Sequence, residues 1–303
     1  MKTPFTYEFY VEPVQGLILP ERSLFFNNFG QNRDMGVMAF GRVFNDRLDY
    51  AVGIYNGFRN GYYDNNDGKA ISGLLNFKPF ANAQDTILEN LNIGGSVFAQ
   101  HLMNAPVPQT FRTIVPIAGN AVFGVPFLSL NNNVREAGFS GLWDAHIAYF
   151  VGPWAVVAEY GGGRQQYALA SNLSQRTSVP VQSFYVESGL LLTGETRSAV
   201  GVVKPNRPFD PRPSKFGLGA WELTARVEQL DIGRNVFSAG FADPNLWSNR
   251  VDTVSLGFNW HLNQYTKFAF MWEHMVFGSP VLYAPDRFQL TSDLFLARLQ
   301  LYF

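Results

Sequence analysis

The residues in this sequence that could do chemistry are few, and their spacing favours no reaction. Cysteine is absent from the 303 residues, which excludes disulfides, thiolate metal sites and thiol nucleophiles. The four histidines, at 101, 146, 261 and 274, lack the His-x-x-x-His spacing of a metal site. Gly161-Gly162-Gly163-Arg164 lacks the Lys-Ser/Thr of a phosphate-binding loop. We therefore predict no catalytic residue, no metal site and no cofactor.

Charged side chains remain as the candidate functional groups. Lys and Arg number 23 and Asp and Glu number 24, which gives a net charge of −1. This balance provides no bulk attraction to nucleic acid, so no such partner is expected and any electrostatic function has to be local. Only 16% of the residues are charged and 16% are aromatic, whereas a soluble domain has about 25% charged residues. The composition indicates an ordered, aromatic-rich structure.

The elements that would position these charges have the pattern of β-strands. Apolar and polar residues alternate along 137–151, 219–231, 250–262 and 291–303, as on pleated strands with one oily face and one polar face. These segments are longer than the average globular strand of about 5–6 residues. The sequence contains no uninterrupted apolar run of the roughly 18 residues that a membrane-spanning helix needs. The pattern predicts an all-β fold.

Eleven candidate strands follow from this alternation. They are predicted at 34–44, 47–57, 69–79, 89–101, 137–151, 153–165, 181–194, 217–232, 250–262, 266–277 and 290–303. The long connections between them are 59–68, 102–136, 166–180, 233–249 and 278–289. Short turns alternate with these long connections, which is typical of a transmembrane antiparallel β-barrel with periplasmic turns and extracellular loops.

One expected periplasmic turn, residues 195–216, is unusually long and basic. Its charged residues are Arg197, Lys204, Arg207, Arg212 and Lys215 against Glu195 and Asp210. One interpretation of this basic turn is an anion-attracting periplasmic vestibule, but a turn that is only solvated, and is stiffened by its prolines, is slightly favoured.

The number of strands predicts an incomplete barrel. Bacterial single-chain barrels normally have an even number of strands and both ends in the periplasm. Eleven strands would leave an open edge in lipid. We therefore expect an odd number of strands to precede Met1 and residues 1–33 to start on the extracellular side.

Several stretches resemble the phosphate-selective porin O and P family of Gram-negative outer membranes. They are Lys2–Phe5, Glu21–Ser23, Arg33–Val37, Ser183–Arg197, Lys204–Phe209, Gly219–Asp231 and Leu296–Phe303. The resemblance implies a homotrimer of 16-stranded barrels in the bacterial outer membrane, with five strands upstream of this chain. It also implies that residues 1–33 form a constriction loop folded into the lumen, while 34–303 form the barrel wall, its loops and a long periplasmic turn.

The expected function is a porin, a passive diffusion channel for small hydrophilic solutes or ions that prefers anions. The resemblance places Arg22 at a basic position lining the narrow zone, and a structural salt bridge to Glu21 or to a wall carboxylate is the alternative. The constriction candidates are Arg22, Lys2, Arg33 and Glu21, and the candidates on the lumen wall are Arg226, Arg298, Lys267, Glu222 and Glu228.

Phosphate selectivity is not expected. Phosphate-selective members of the family carry a Lys and a Ser pair in the constriction loop. Those positions fall on Tyr10, Pro13 and Val14 in this sequence, and none of these side chains is cationic.

Two other functions stay open. An outer-membrane enzyme of the phospholipase kind would need a catalytic Ser and His on the lipid-facing wall; His274 faces outward, but no nearby outward Ser or carboxylate is expected to complete the arrangement. A structural anchor between the envelope and a surface layer would have a plugged lumen. The expected partners are membrane lipid and the outer-membrane assembly machinery, because the last strand alternates up to Phe303 and so resembles the recognition signal of that machinery.

Overall fold

A curved antiparallel sheet of eleven strands dominates the fold. The computed structural model describes residues 1–57, 68–83, 86–102, 105–114 and 124–302. The strands are β1 (Gly36–Val43), β2 (Leu48–Tyr55), β3 (Ala70–Phe77), β4 (Leu91–Leu102), β5 (Phe111–Arg112), β6 (Pro126–Leu128), β7 (Val134–Val151), β8 (Trp154–Leu169), β9 (Asn172–Leu191), β10 (Ala220–Ile232), β11 (Arg250–Asn263), β12 (Thr266–Ala284) and β13 (Arg287–Leu301). All except β5 and β6 join the large sheet in chain order, and those two form a separate hairpin.

The eleven predicted strands are confirmed as this sheet. Each strand pairs with its sequence neighbours, and β1 and β13 form the two edges. Within the described residues these edges are not paired with each other, so closure into a barrel is not observed. The total of 16 strands therefore stays a prediction.

Two predicted long loops are wrong. Residues 166–180 and 278–289 are mostly strand, because β8 and β9 are joined by two residues, and so are β12 and β13. Polar residues hide the alternation in 166–180. In 278–289 it is broken by Gly278, Pro280 and Pro285, and β12 stays paired with β13 across two register shifts. In contrast, the predicted loop 233–249 contains the short helix α3 (Asn235–Ser238). The predicted loop at 59–68 lies almost entirely outside the described residues.

The two faces of the large sheet differ in polarity. Exposed apolar side chains cover the outer face, among them Val52, Ile71, Val97, Trp143, Leu223, Leu256 and Leu299. Buried polar side chains line the inner face, among them Ser72, Ser96, Asp144, Glu159, Glu187, Glu222, Arg226, Asn259, Lys267 and Glu273. A soluble sandwich would bury the apolar face, whereas a membrane barrel turns it to lipid.

Residues 1–33, the N-terminal segment, lie against the inner face of the sheet. This segment contains α1 (Tyr7–Tyr10) and α2 (Leu24–Phe29). The side chains of Thr6 and Ser23 accept hydrogen bonds from backbone N–H groups in the first turns of α1 and α2, as N-cap residues do. A β-bridge between Lys2 and Arg33 holds the two ends of the segment together. No helix in the described part of the chain is long and apolar enough to cross a membrane.

Above α2, the loop that contains β5 and β6 packs on the same segment. The Phe29 and Phe111 rings lie 5.3 Å apart, and the Asn28 side chain exchanges hydrogen bonds of 2.8 and 2.9 Å with the backbone of Arg112. These contacts bury Phe5, Phe29 and Phe111 in one core with residues of the sheet. The N-terminal segment is therefore held from the wall and from this loop.

Candidate pore constriction

Wall side chains bind the backbone of the N-terminal segment along its length. The Ser72 hydroxyl on β3 donates to the carbonyl of Pro4 at 2.8 Å, and the Ser96 hydroxyl on β4 accepts from the amide of Thr6 at 2.9 Å. Because each bond joins a wall residue to a main-chain group, the path of the segment is determined by polar positions on the strands.

Glu159 on β8 holds the start of α1. Its carboxylate accepts from the amides of Tyr7 at 3.1 Å and Glu8 at 2.7 Å. It also accepts from the Tyr185 hydroxyl at 2.6 Å. The carboxylate thus satisfies two N–H groups at a helix N-terminus, where negative charge is favourable.

Inner-face residues of β11 and β12, near the other edge of the sheet, bind the middle of the segment in the same way. Asn259 Nδ2 on β11 donates to the carbonyl of Ile18 at 2.8 Å, and Lys267 Nζ on β12 donates to the carbonyl of Leu17 at 3.0 Å. Lys267, a candidate for the lumen wall, is buried. Its ammonium therefore positions the segment instead of facing an open path.

Arg226 on β10 is the centre of a buried charge cluster. Its guanidinium lies 3.2 Å from Glu228 and 3.7 to 3.9 Å from Glu187, Glu8 and Glu273. Burying so many charges is favourable only when they are paired and hydrogen-bonded. The sequence placed Arg226 and Glu228 on the inner face, and the structure adds Glu8 from the N-terminal segment.

The same Arg226 also reaches the segment's backbone. Nη1 donates to the carbonyl of Glu21 at 2.8 Å, and Glu228 accepts from the amide of Leu24 at 2.7 Å. Arg226 and Glu228 therefore fix the bend that presents Arg22. Their side chains are structural supports of the candidate constriction.

Arg22 rests on a pair of stacked aromatic rings. The Phe9 and Phe26 ring centroids are 4.5 Å apart, and the guanidinium carbon of Arg22 lies 5.3 and 5.4 Å from them. Its Nη1 donates to the carbonyl of Glu8, while Nη2 has no hydrogen-bond partner within the described residues. Arg22 is only 8% exposed, so its charge acts on a passing anion through surroundings of low dielectric, where charge interactions are strong.

Lys2 lies over one ring of this pair, that of Phe9. Its Nζ is 4.7 Å from the Phe9 centroid and donates to the carbonyls of Tyr10 and Glu12 at 3.3 and 3.4 Å. Burial, together with the positive charges of Arg22 and Arg33, lowers the pKa of Lys2 to about 8. Lys2, Arg22 and Arg33 thus form one cationic cluster, which their positions in the sequence do not reveal.

Glu21 pairs with Arg298 on β13 instead of with Arg22. The pair is partly open, because 13% of the Glu21 side chain and 27% of the Arg298 side chain are exposed. Both are constriction or wall candidates. The proposed salt bridge between Arg22 and Glu21 is not observed among the described residues.

Two glutamates of the segment are buried beside this cluster. Burial raises the pKa of Glu8 to about 7, although Arg22 and Arg226 oppose the shift. Burial also raises the pKa of Glu12 well above its ordinary value. Neither carboxylate oxygen of Glu12 has a hydrogen-bond partner within the described residues, so this side chain is expected to be neutral at pH 7.

The basic turn divides into two parts. Arg197 enters the inner side, where it pairs with Glu222 at 2.9 Å. Glu222 also lies 3.1 Å from His261 Nε2. Beyond Val203 the turn lies outside instead, because the Phe209 ring packs edge-on against the outer-face Trp260 at 5.2 Å. Of the five basic residues of this turn, Arg197 is the one that pairs, within the described residues, with a carboxylate of the inner wall, and the vestibule stays a hypothesis.

The outer face holds an unexpected polar pair. Asp293 Oδ1 lies 3.0 Å from His274 Nδ1 and accepts from Trp272 Nε1 at 3.0 Å. The expectation that no outward carboxylate lies near His274 is therefore wrong, because pairing of β12 with β13 sets these residues opposite each other. Within the described residues, no serine hydrogen-bonds to this His. No group of three or more His, Asp or Glu in that part of the chain is placed to hold a metal ion.

The sequence also did not indicate Ser72, Ser96 and the stacked Phe9 and Phe26 as parts of the site. Both serines sit at inward positions of alternating strands, and this signal could have identified them. The ring pair has no such signal, since its members are 17 positions apart and meet only in the folded segment.

Comparison with known proteins gives one family and two similar folds. The model of the family described as phosphate-selective porin O and P matches residues 126–303, more than half of the chain. The candidate constriction residues 2–33 lie outside this match. No curated protein matches the chain.

Two solved structures of similar fold each have 11% sequence identity to the chain. A porin refined at 1.8 Å resolution has a TM-score of 0.45, over 89% of this chain and 63% of the other. The outer-membrane-expressed OmpT of Vibrio cholerae has a TM-score of 0.46, over 94% of this chain and 71% of the other. The chain thus spans less than two thirds of the first of these structures.

Proposed function

Because the chain belongs to the phosphate-selective porin O and P family, we propose that it forms most of the wall and the constriction of a passive outer-membrane channel for small hydrophilic solutes, with a preference for anions. The observation that carries this proposal is the N-terminal segment, which is held by polar side chains on the inner face of a sheet whose outer face is apolar and exposed. A polar lining with a narrowed zone is what a diffusion channel needs.

The preference for anions rests on the cluster of Lys2, Arg22 and Arg33. Two of these cations lie over Phe9, in surroundings of lower dielectric than water, where charges interact more strongly with passing ions. The nearby acidic side chains are compensated: Glu21 pairs with Arg298, and Glu12 is expected to be neutral. Phosphate selectivity is not part of the proposal. The proposal also includes assembly as a homotrimer and contact with membrane lipid. It further includes recognition of β13 by the outer-membrane assembly machinery.

Planar-bilayer recording of the full-length protein tests both parts. Large conductance steps, typical of a water-filled pore, are expected, and their absence would contradict the proposed channel function. In a salt gradient the reversal potential should indicate more chloride than potassium passage. Arg22→Gln should reduce that ratio by about five-fold or more, since a unit charge about 4 Å from an ion contributes about 1 kcal/mol in water and more at lower dielectric.

A matched control is Arg176→Gln, which removes the same charge from the exposed β8–β9 hairpin. This variant should keep the wild-type ratio. Equal effects of the two substitutions, or a wild-type preference for cations, would contradict the role of Arg22.

A further inference from the structure

The outer half of the basic turn, residues 204–216, lies beside the apolar outer face of the sheet. Trp260 Nε1 on β11 donates to the carbonyl of Leu218 at 2.7 Å, and the Phe209 amide donates to the carbonyl of Leu262 at 2.7 Å. Trp260 in turn stacks on Trp221 of β10 at 5.2 Å. The outer half therefore continues the apolar outer surface at its turn end.

Two adjoining clefts open in this outer half. One has a volume of about 470 Å³ and is lined by Arg207, Phe216 and Leu218, with Glu195 at its inner side. The other has a volume of about 590 Å³ and is lined by Arg207, Ser214, Lys215 and Phe216. Because Arg207 and Phe216 border both, the clefts form one site with a cationic end and an apolar end.

The charges of this site are unequal between the clefts. In the first, Glu195 accepts hydrogen bonds from the Thr193 hydroxyl and the Asn206 amide. The second cleft has two cations, Arg207 and Lys215, and a hydroxyl from Ser214. An anionic group is therefore favoured in the second cleft.

Exposure of the apolar end of this site to water would be unfavourable. Phe216 and Leu218 are 58% and 55% exposed, and both border the first cleft. A soluble anion would use the cations but would leave these side chains in contact with water. An amphiphile with an anionic phosphate and acyl chains covers both ends of the site.

We propose that the outer half of the basic turn binds an anionic glycerophospholipid of the periplasmic leaflet. The phosphate diester lies between Arg207 and Lys215, and the acyl chains pass over Phe216 and Leu218 onto the surface around Trp260. Aromatic residues at the edge of an apolar belt are the usual neighbours of lipid headgroups. This inference rests on the proposed membrane location.

Quenching of tryptophan fluorescence by brominated lipids tests the proposal. The reporter is the full-length protein in which Trp221 and Trp260 remain and every other tryptophan is replaced by Phe. It is reconstituted in phosphatidylcholine vesicles that contain increasing brominated phosphatidylglycerol or brominated phosphatidylcholine. Phosphatidylglycerol is expected to bind about five-fold more tightly for each contributing cation.

The variants Arg207→Gln and Lys215→Gln should each lower this preference, and the double variant should bring it to about one. Lys204→Gln is the matched control, because it removes a charge from the same turn but lines neither cleft. It should keep the parent preference. Equal loss with Lys204→Gln would show a general charge effect and overturn the site.

Two further outcomes separate this inference from the proposed function. Equal quenching by both brominated lipids in the parent would overturn the lipid site alone, while the protein would still be shown to reside in the bilayer. No quenching by either lipid would contradict the membrane location itself. Loss of the preference on adding millimolar inorganic phosphate would identify a soluble-anion site and overturn the lipid inference.

Discussion

Two basic regions of this chain differ in how the rest of the molecule surrounds them. In the N-terminal segment, Lys2 and Arg22 lie over Phe9, and their backbone neighbours are held by wall side chains. In the outer half of the basic turn, Arg207 and Lys215 are exposed. The first pair lies where water is partly excluded and charge interactions are strong. The second pair lies in solvent, where salt screens it.

This difference indicates that contact with the inner wall, and not the local sequence, determines whether a basic residue contributes to the stability of the fold. Arg226 and Arg212 both make close ion pairs, at 3.2 Å to Glu228 and 2.6 Å to Asp210. Arg226 is shared by carboxylates from several elements, whereas Arg212 pairs with a residue two positions away. An ion pair on the inner face therefore joins several elements of the fold, whereas the ion pair in the turn joins only neighbouring residues.

Truncation of Arg226 is expected to have the largest effect on stability. Arg226→Ala would leave its carboxylate neighbours buried without their shared cation, and removal of one partner of a buried ion pair costs about 3–5 kcal/mol. Arg212→Ala should leave the free energy of unfolding unchanged within error, because its ion pair is solvent-exposed. Urea unfolding of the refolded protein, followed by circular dichroism, measures both. Equal losses would contradict the contrast between the two regions.

Removal of the Glu159 carboxylate is expected to have the next largest effect. Glu159→Ala deletes the acceptor of the Tyr7 and Glu8 amides, and a buried donor that is left without its partner costs about 1–3 kcal/mol. Amide exchange at Tyr7 and Glu8 should therefore accelerate by about ten- to hundred-fold. Hydrogen–deuterium exchange with mass spectrometry of peptides from residues 1–33 measures this.

Glu195→Ala is the corresponding control in the turn. Glu195 likewise accepts a backbone amide, that of Asn206 at 2.8 Å, so its removal should accelerate exchange in the turn but not in residues 1–33. Acceleration in both regions by either variant would show that they are coupled, contrary to the comparison.

The wall could be predicted from the sequence because each strand has one apolar and one polar face. Alternation located all eleven strands and placed Glu222, Arg226 and Lys267 on the inner face, where they are buried. It misplaced the ends of β8 and β9, since residues 166–180 lie beyond the apolar zone and both faces there can be polar. Periodicity identifies a strand only where its two faces meet different environments.

The candidate constriction could be predicted only in outline. Arg22 and Lys2 were identified through a resemblance, and their function stays a prediction. Their shared contact with Phe9 arises because the segment folds back on itself, and the spacing of residues 2, 9 and 22 has no helical or strand period. One partner of Arg226 was also hidden, since Glu8 joins the cluster from a segment more than 200 residues away in sequence.

Deprotonation of Lys2 is expected to have the smallest effect, a change in anion preference. It is also the most direct test of the difference between the two basic regions. The pKa of Lys2 is about 8, lowered by burial and by the positive charges of Arg22 and Arg33. The amine is charged below this pH and neutral above it. Anion preference should therefore decrease between about pH 7 and pH 9, by about five-fold, because one unit charge about 4 Å from an ion contributes on the order of 1 kcal/mol.

Reversal potentials in a salt gradient across this pH range measure the change. Lys2→Arg is the decisive control, because guanidinium stays charged throughout; the decrease should disappear in this variant while the preference at pH 7 is kept. Lys215→Arg makes the same exchange in the exposed turn and should leave the pH profile of the wild type intact. If the decrease persists in Lys2→Arg, another group controls it, and the N-terminal cluster would then be no different from the turn in its effect on passing ions.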